Sequence, residues 1–261
     1  MGGMEESDRP DILIESDPVA PAIRHLRLNR PSARNAMSAR LVQDCIDWFE
    51  AARHDPSIGA VILSGAGKGF CAGSDLAGLA AMDDMERSAF EEASGRLARM
   101  IPAFPRPVIA AVHGFAIGGG LTLAAACDIV ITAPDARWSL PEVPIGLFPA
   151  WGLDAVEQRV GRPAARRLSW GIDSLDGQAA AAMGLADQVA QDVAGEATAL
   201  ARRLAALPRA QVAAVKDYFA AHRIGAAADQ AANALFMAAC ATDTAQASFA
   251  RFGAKSETGG L

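Results

Sequence analysis

Two short apolar runs, AVILS at residues 60–64 and VIAAV at 108–112, each lead straight into a glycine-rich turn, GAGKGFCAGSD and HGFAIGGG. Continuous apolar runs of this length are typical of strands buried on both faces. Glycine is conformationally costly, so a turn this rich in it marks either a sharp strand-to-helix connection or a close approach of backbone to a ligand. After the second turn, LTLAAACD is small and almost wholly apolar, as in a helix buried on most sides, and DIVITA returns as a strand. Strand, glycine turn and helix in repetition predict an α/β core with its sites at the strand ends.

The flanking elements follow the same logic. Residues 23–29 predict a strand. Ser38 is placed as the N-cap of a helix running to about Arg53, with Leu41, Cys45, Trp48 and Phe49 on its apolar face and Asp55-Pro56 stopping it. Residues 83–101 predict a second helix, closed by Pro102, Pro105 and Pro107. From about Glu196 the chain is alanine-rich and helical in pattern, with breaks at Pro208 and Gly225, which predicts a core over residues 1–195 and a helical region over 196–261.

Composition narrows the function. An apolar fraction of 51 % against 21 % charged excludes a disordered chain, and no apolar run reaches the roughly 20 residues of a membrane span. Lys plus Arg number 24 against 30 Asp plus Glu, a net charge of -6, which gives wholesale nucleic-acid binding no electrostatic support. The four cysteines form no CxxC pair, and the acidic start MGGMEESDRP has no apolar stretch of the kind a secretion signal carries. A reducing cytoplasm is the expected setting. The glycine turns lack the GxxxxGK[ST] spacing of a phosphate loop and the GxGxxG of a dinucleotide site, and there is no GxSxG, HExxH or histidine spaced for a metal.

Taken together, FCAGSDL and HGFAIGGG resemble the two signatures of the enoyl-CoA hydratase/isomerase, or crotonase, superfamily. LNRPSARNAMS, ACDIVIT, LPEVPIGLFP, LDGQAAAAMGLADQV and a closing pattern ending in Phe252 and Lys255 follow in the family's order, so the resemblance covers nearly the whole chain. It implies a crotonase-like ββα spiral with a C-terminal helical trimerisation region, a homotrimer or dimer of trimers, and an acyl-CoA substrate whose coenzyme A needs no further cofactor or metal. It also implies two backbone donors for the thioester oxygen, which match Ala72 and Gly119. Prepositioned donors of this sort contribute about 3 kcal/mol each to stabilising an enolate oxyanion. Asp75 is expected to be structural, since an Asp in a turn most often bonds its own backbone.

Hydratases of the family carry two glutamates. One matches Glu142; the other falls on Thr122, whose hydroxyl cannot act as a base near neutral pH. Alone, Glu142 would read as a surface residue between Pro141 and Pro144; within the resemblance it is the acid/base, with a pKa expected to be raised by Trp138, Leu140 and Phe148. The PAWG segment departs from the family's PGAGG-like stretch and places Trp151, with Phe148, at the acyl pocket. A lone glutamate and this tryptophan resemble the family's double-bond isomerases, although single-glutamate hydratase-lyases exist. Hydration or isomerisation of an unsaturated acyl-CoA is therefore expected, with decarboxylation, dehydration or silent acyl-CoA binding as alternatives. Arg30, Arg34 and Lys68, with Phe252 and Lys255 at the other end, are the residues expected at the coenzyme A phosphates.

Overall fold

The computed structural model describes residues 9–220 and 226–257, the side chains of 226–229 and 255–257 excepted. Its main sheet opens with the antiparallel pair β1 (Ile12–Ser16) and β2 (Ile23–Leu28). Parallel to β2 follow β3 (Ala60–Gly65), β4 (Val108–Val112), β6 (Ile129–Thr132) and β8 (Gln188–Val189), in the order β1-β2-β3-β4-β6-β8. A second, two-stranded parallel sheet pairs β5 (Phe115–Ile117) with β7 (Arg137–Ser139). Every residue of β4 is buried and all but one of β3, as their unbroken apolar character requires.

The helices are α1 (Ala39–Ala52), α2 (Leu76–Ala81), α3 (Asp84–Ala103), α4 (Gly119–Ala126), α5 (Leu153–Ser169) and α6 (Gly177–Met183). They are followed by α7 (Val193–Ala205), α8 (Arg209–Ala220), α9 (Ala226–Cys240) and α10 (Asp243–Glu257). Ser38 caps α1 by accepting from the Leu41 amide, and Asp83 and Glu86 close a reciprocal capping box on α3. α3 runs two residues past its expected end: Pro102 sits in its last turn, and Phe104 takes up extended backbone before Pro105. α4 is buried along its whole length, which explains why its residues are small and apolar on every side.

The C-terminal region is less separate than its composition suggests. α7 packs against β2, β3, β4 and β6, with Ala197 and Ala201 fully buried, so the sheet's core continues past residue 195. α8 is held by Lys216, whose ammonium reaches Ile101 O, Arg106 O and Asp128 Oδ2 at 3.1, 2.9 and 2.5 Å. α9 packs on α3, and α10 on α2 and on the short 3₁₀ turn Val143–Ile145. α10 therefore lies against the helix that follows the first glycine turn and against the turn that Glu142 heads.

Candidate functional site

The two glycine turns meet at the carboxyl ends of β3 and β4. Phe70 and Cys71 amides donate to Phe115 O, and the Ile117 amide donates back to Cys71 O, so the turns are laced together by backbone. Asn35, buried and in the left-handed region at φ 55°, binds the loop after β2 to the first turn, its Nδ2 donating to Ala66 O at 2.8 Å and Gly69 O at 2.9 Å. At Gly73 (φ +91°) a side chain would strike Ile117 O, which is why the turns can come this close only with glycine there. Between them opens a narrow cavity of about 60 Å³, walled by the turns, by α3, by the segment after β7 and by Phe236 of α9.

Glu142 stands in that wall. It heads the 3₁₀ turn, its carbonyl accepting from Ile145 and Leu147 amides at 3.1 and 2.9 Å, which fixes the residue's backbone. Its carboxylate presses on the second glycine turn: a methyl at Gly118 would lie 2.6 Å from Oε1. Gly118 also has φ +55°, so both conformation and space demand glycine. Oε2 is shut off from solvent and has no hydrogen-bond partner among the described residues. Burial pushes the carboxyl up to about 7, against a weaker lowering by backbone, which suits a group that both takes and returns a proton.

Of the two amides expected to hold the thioester oxygen, one is engaged elsewhere in the fold. The Ala72 amide donates to Arg34 O at 3.1 Å and is therefore spent on structure. Two residues on, Ser74 lines the cavity and its amide has no acceptor among the described residues; the same holds for Gly119, the first residue of α4. Free N–H groups at the start of a helix, backed by its dipole, favour negative charge. Motif spacing alone does not tell which amide of a turn is engaged, so it is visible only in three dimensions that Ser74 rather than Ala72 keeps an amide without an acceptor.

Thr122 is 1 % exposed, and its hydroxyl donates to Gly119 O at 3.1 Å, bonding back along its own helix. Trp151 covers the cavity, packing on Gly119 so closely that a methyl there would meet its ring at 2.6 Å, and Phe148 lines the rim. The residue that sequence reasoning missed is Glu91. It lies on α3, is 5 % exposed, and lines the same cavity as Glu142. Burial, reinforced by the charge of Glu142, pushes it up to about 8. Its signal was an acid on the apolar stripe Glu91, Ser94, Gly95, Ala98, all buried at i, i+3, i+4 and i+7.

The residues expected at coenzyme A fall into three groups. Arg30 is engaged within the fold, bound to Asp75 at 3.0 Å and to Ala36 O, with Asp11 at 3.8 Å. Asp75 in turn caps α2 through the Gly78 amide. Arg34 and Lys68 are exposed, on loops that touch where Gly67 faces Pro31. Phe252, half-buried on α10, lies under Arg251 at 4.7 Å, while the Lys255 side chain lies outside the described residues.

A family model described as Enoyl-CoA hydratase/isomerase matches residues 19–258. A crotonyl-CoA hydratase of Syntrophomonas wolfei is 36 % identical over 168 residues, covering 64 % of this chain and 65 % of that protein. A 2,3-dehydroadipyl-CoA hydratase of Escherichia coli is 36 % identical over 165 residues, covering 63 % and 64 %. The matched stretch thus spans just under two thirds of these two relatives. Among solved structures, an enoyl-CoA hydratase/isomerase from Mycobacterium paratuberculosis superposes with a TM-score of 0.84 at 27 % identity, over 93 % of this chain and 98 % of that one. Among the described residues no helix is long and apolar enough to cross a membrane.

Proposed function

The chain belongs to the enoyl-CoA hydratase/isomerase family, and from that premise we propose that it binds an unsaturated acyl-CoA, holds the thioester oxygen on the Ser74 and Gly119 amides, and moves a proton at C2 with Glu142. The observation that carries this is the unpartnered Oε2 of Glu142 in the wall of the cavity that holds the two amides without acceptors. A buried carboxylate kept without a partner is costly as structure and useful as a base. As a proton leaves C2, charge collects on the thioester oxygen, where fixed donors in a narrow cavity act most strongly. The coenzyme A arrives as part of the substrate, and the chemistry calls for no further cofactor.

Two reactions share this enolate. Double-bond isomerisation is favoured by Thr122: its hydroxyl is turned back onto Gly119 O, so the helix after the second turn offers no second carboxylate to activate water. In that reaction Glu142 takes a proton from C2 of a 3-enoyl-CoA, and reprotonation at C4 leaves the double bond at C2. Hydration is the second possibility, favoured by the hydratase names of the two relatives. A proton NMR time course with trans-3-hexenoyl-CoA and trans-2-hexenoyl-CoA separates them. Interconversion of the two enoyl-CoAs supports isomerisation; a 3-hydroxyacyl product supports hydration; neither product contradicts both.

We further propose a trimer or dimer of trimers working in the cytoplasm. Support for assembly comes from α8 and the turn before it, which leave Leu207, Val215 and Phe219 exposed along a groove of about 730 Å³, with Tyr218 exposed beside Phe219. The described cysteines are all free and buried, in keeping with a reducing compartment. Arg34 and Lys68 remain the side chains best placed to meet phosphates.

A further inference from the structure

Thr122 leaves this site one carboxylate short of the two-glutamate arrangement, yet two acids line the cavity. The second, Glu91, enters from α3 rather than from the helix after the glycine turn. Among the described residues it has neither a hydrogen bond nor an ion pair, although it is almost fully buried. Acids placed so deeply are nearly always paired when their role is structural.

Its position along the cavity is specific. Glu91, Ala150 and Trp151 also wall a neighbouring chamber of about 350 Å³ that contains Ser88 and Asn233. They therefore form the partition between the two spaces. Glu142, by contrast, lies directly against the glycine turn at Gly118 and does not reach the second chamber. An acyl chain that starts with its thioester oxygen at Ser74 and Gly119 and runs toward the second chamber meets Glu142 first and Glu91 farther along.

We propose that Glu91 is a second catalytic acid of this site, delivering the proton to C4 of the dienolate that Glu142 generates by removing the proton at C2. The inference rests on the reaction proposed above and assigns its second half. The Glu142 carboxylate takes the C2 proton, and the C2–H electron pair moves into the thioester as an oxyanion. When the carbonyl re-forms, the C1–C2 pair becomes the C2–C3 double bond, and the former C3–C4 pair takes the proton from the Glu91 carboxyl. The enzyme is left with Glu142 protonated and Glu91 ionised, and exchange with water resets both. Nothing is oxidised or reduced. Burial favours a protonated Glu91 near neutral pH, the form this step requires.

The test follows hydrogen at two carbons. Wild-type enzyme and the Glu91→Gln variant are given trans-3-hexenoyl-CoA in deuterated water, and deuterium at C2 and C4 is read by NMR at low conversion. Wild type should place solvent deuterium at C4. Glu91→Gln should keep exchange at C2 while isomerisation falls by about 100-fold or more, with any residual C4 hydrogen carried over from C2. Glu91→Asp should restore part of the solvent-derived C4 label, and this second variant carries the test if the glutamine variant does not fold. A glutamine variant with wild-type isomerisation rate and labelling would overturn the inference, as would a folded variant that loses C2 exchange together with isomerisation. Absence of C2 exchange in the wild type would instead contradict the role of Glu142, and the inference with it.

Discussion

At the scale of single residues, the site depends on Gly118. Its φ of +55° and the 2.6 Å that would separate a methyl from Glu142 Oε1 mean that Gly118→Ala both strains the turn and pushes the carboxylate aside. The strain should lower stability by about 1–3 kcal/mol, and a displacement of about 1 Å at the base should lower kcat by about 100-fold; thermal melting and steady-state kinetics measure the two. The raised carboxyls give a second expectation. Glu142 and Glu91 stand at about 7 and about 8 when folded, against 4.5 as the ordinary glutamate value. The folded state therefore holds more protons than the unfolded one between those values. Their contribution to stability is greatest below about 4.5 and is lost as pH rises toward 8. Glu91→Gln should flatten the fall in Tm between pH 5 and 8, and an unchanged slope would contradict the placement of Glu91. Glu142 was legible in the sequence only through the family motif around it. Glu91 was missed because Glu91-Glu92 in a polar helix looks like two solvated acids, and the stripe Glu91, Ser94, Gly95, Ala98 that turns inward is too small-sided to stand out as an apolar face.

Elements built from local signals were legible nearly to the residue. The apolar runs gave β3 and β4, Ser38 opened α1, and the small-residue run gave α4, because strand burial, capping and glycine chemistry are properties of a few neighbouring residues. β1, β5, β7 and β8 were not anticipated: the last three have three residues or fewer, and they exist through pairing with distant partners, as Phe115 with Arg137 or Thr132 with Val189. α8 is an element whose attachment can be tested. Lys216 satisfies two carbonyls and Asp128 from a position 7 % exposed, so Lys216→Ala would leave them uncompensated. The expected loss is about 3 kcal/mol, read as a lower denaturant midpoint, with hydrogen exchange in 209–220 rising first. A loss confined to a few tenths of a kcal/mol would mean that this anchor contributes nothing to holding the helix.

Across the whole molecule, the strand ends, the glycine turns and α9 converge on one small cavity. The sequence suggested a helical appendage after residue 195, but α7 belongs to the sheet's core, and α9 brings Phe236 to the cavity wall while α10 packs on α2 and the turn after Glu142. Alanine-rich composition could not distinguish a helix lying on its own sheet from one reaching outward, since both bury small side chains. The site is therefore enclosed by parts of the chain more than 140 positions apart, and its small volume follows from that enclosure. The central feature of the reaction proposed for it is proton transfer at C2 by Glu142 with the thioester oxygen held on backbone amides. The most direct measurement is deuterium uptake at C2 of trans-3-hexenoyl-CoA in deuterated water, comparing wild type with Glu142→Gln under conditions where both are folded. Glutamine keeps the shape and removes the base, so uptake should fall by about 100- to 10,000-fold with little change in Tm. Uptake at the wild-type rate in the Glu142→Gln enzyme would contradict the account.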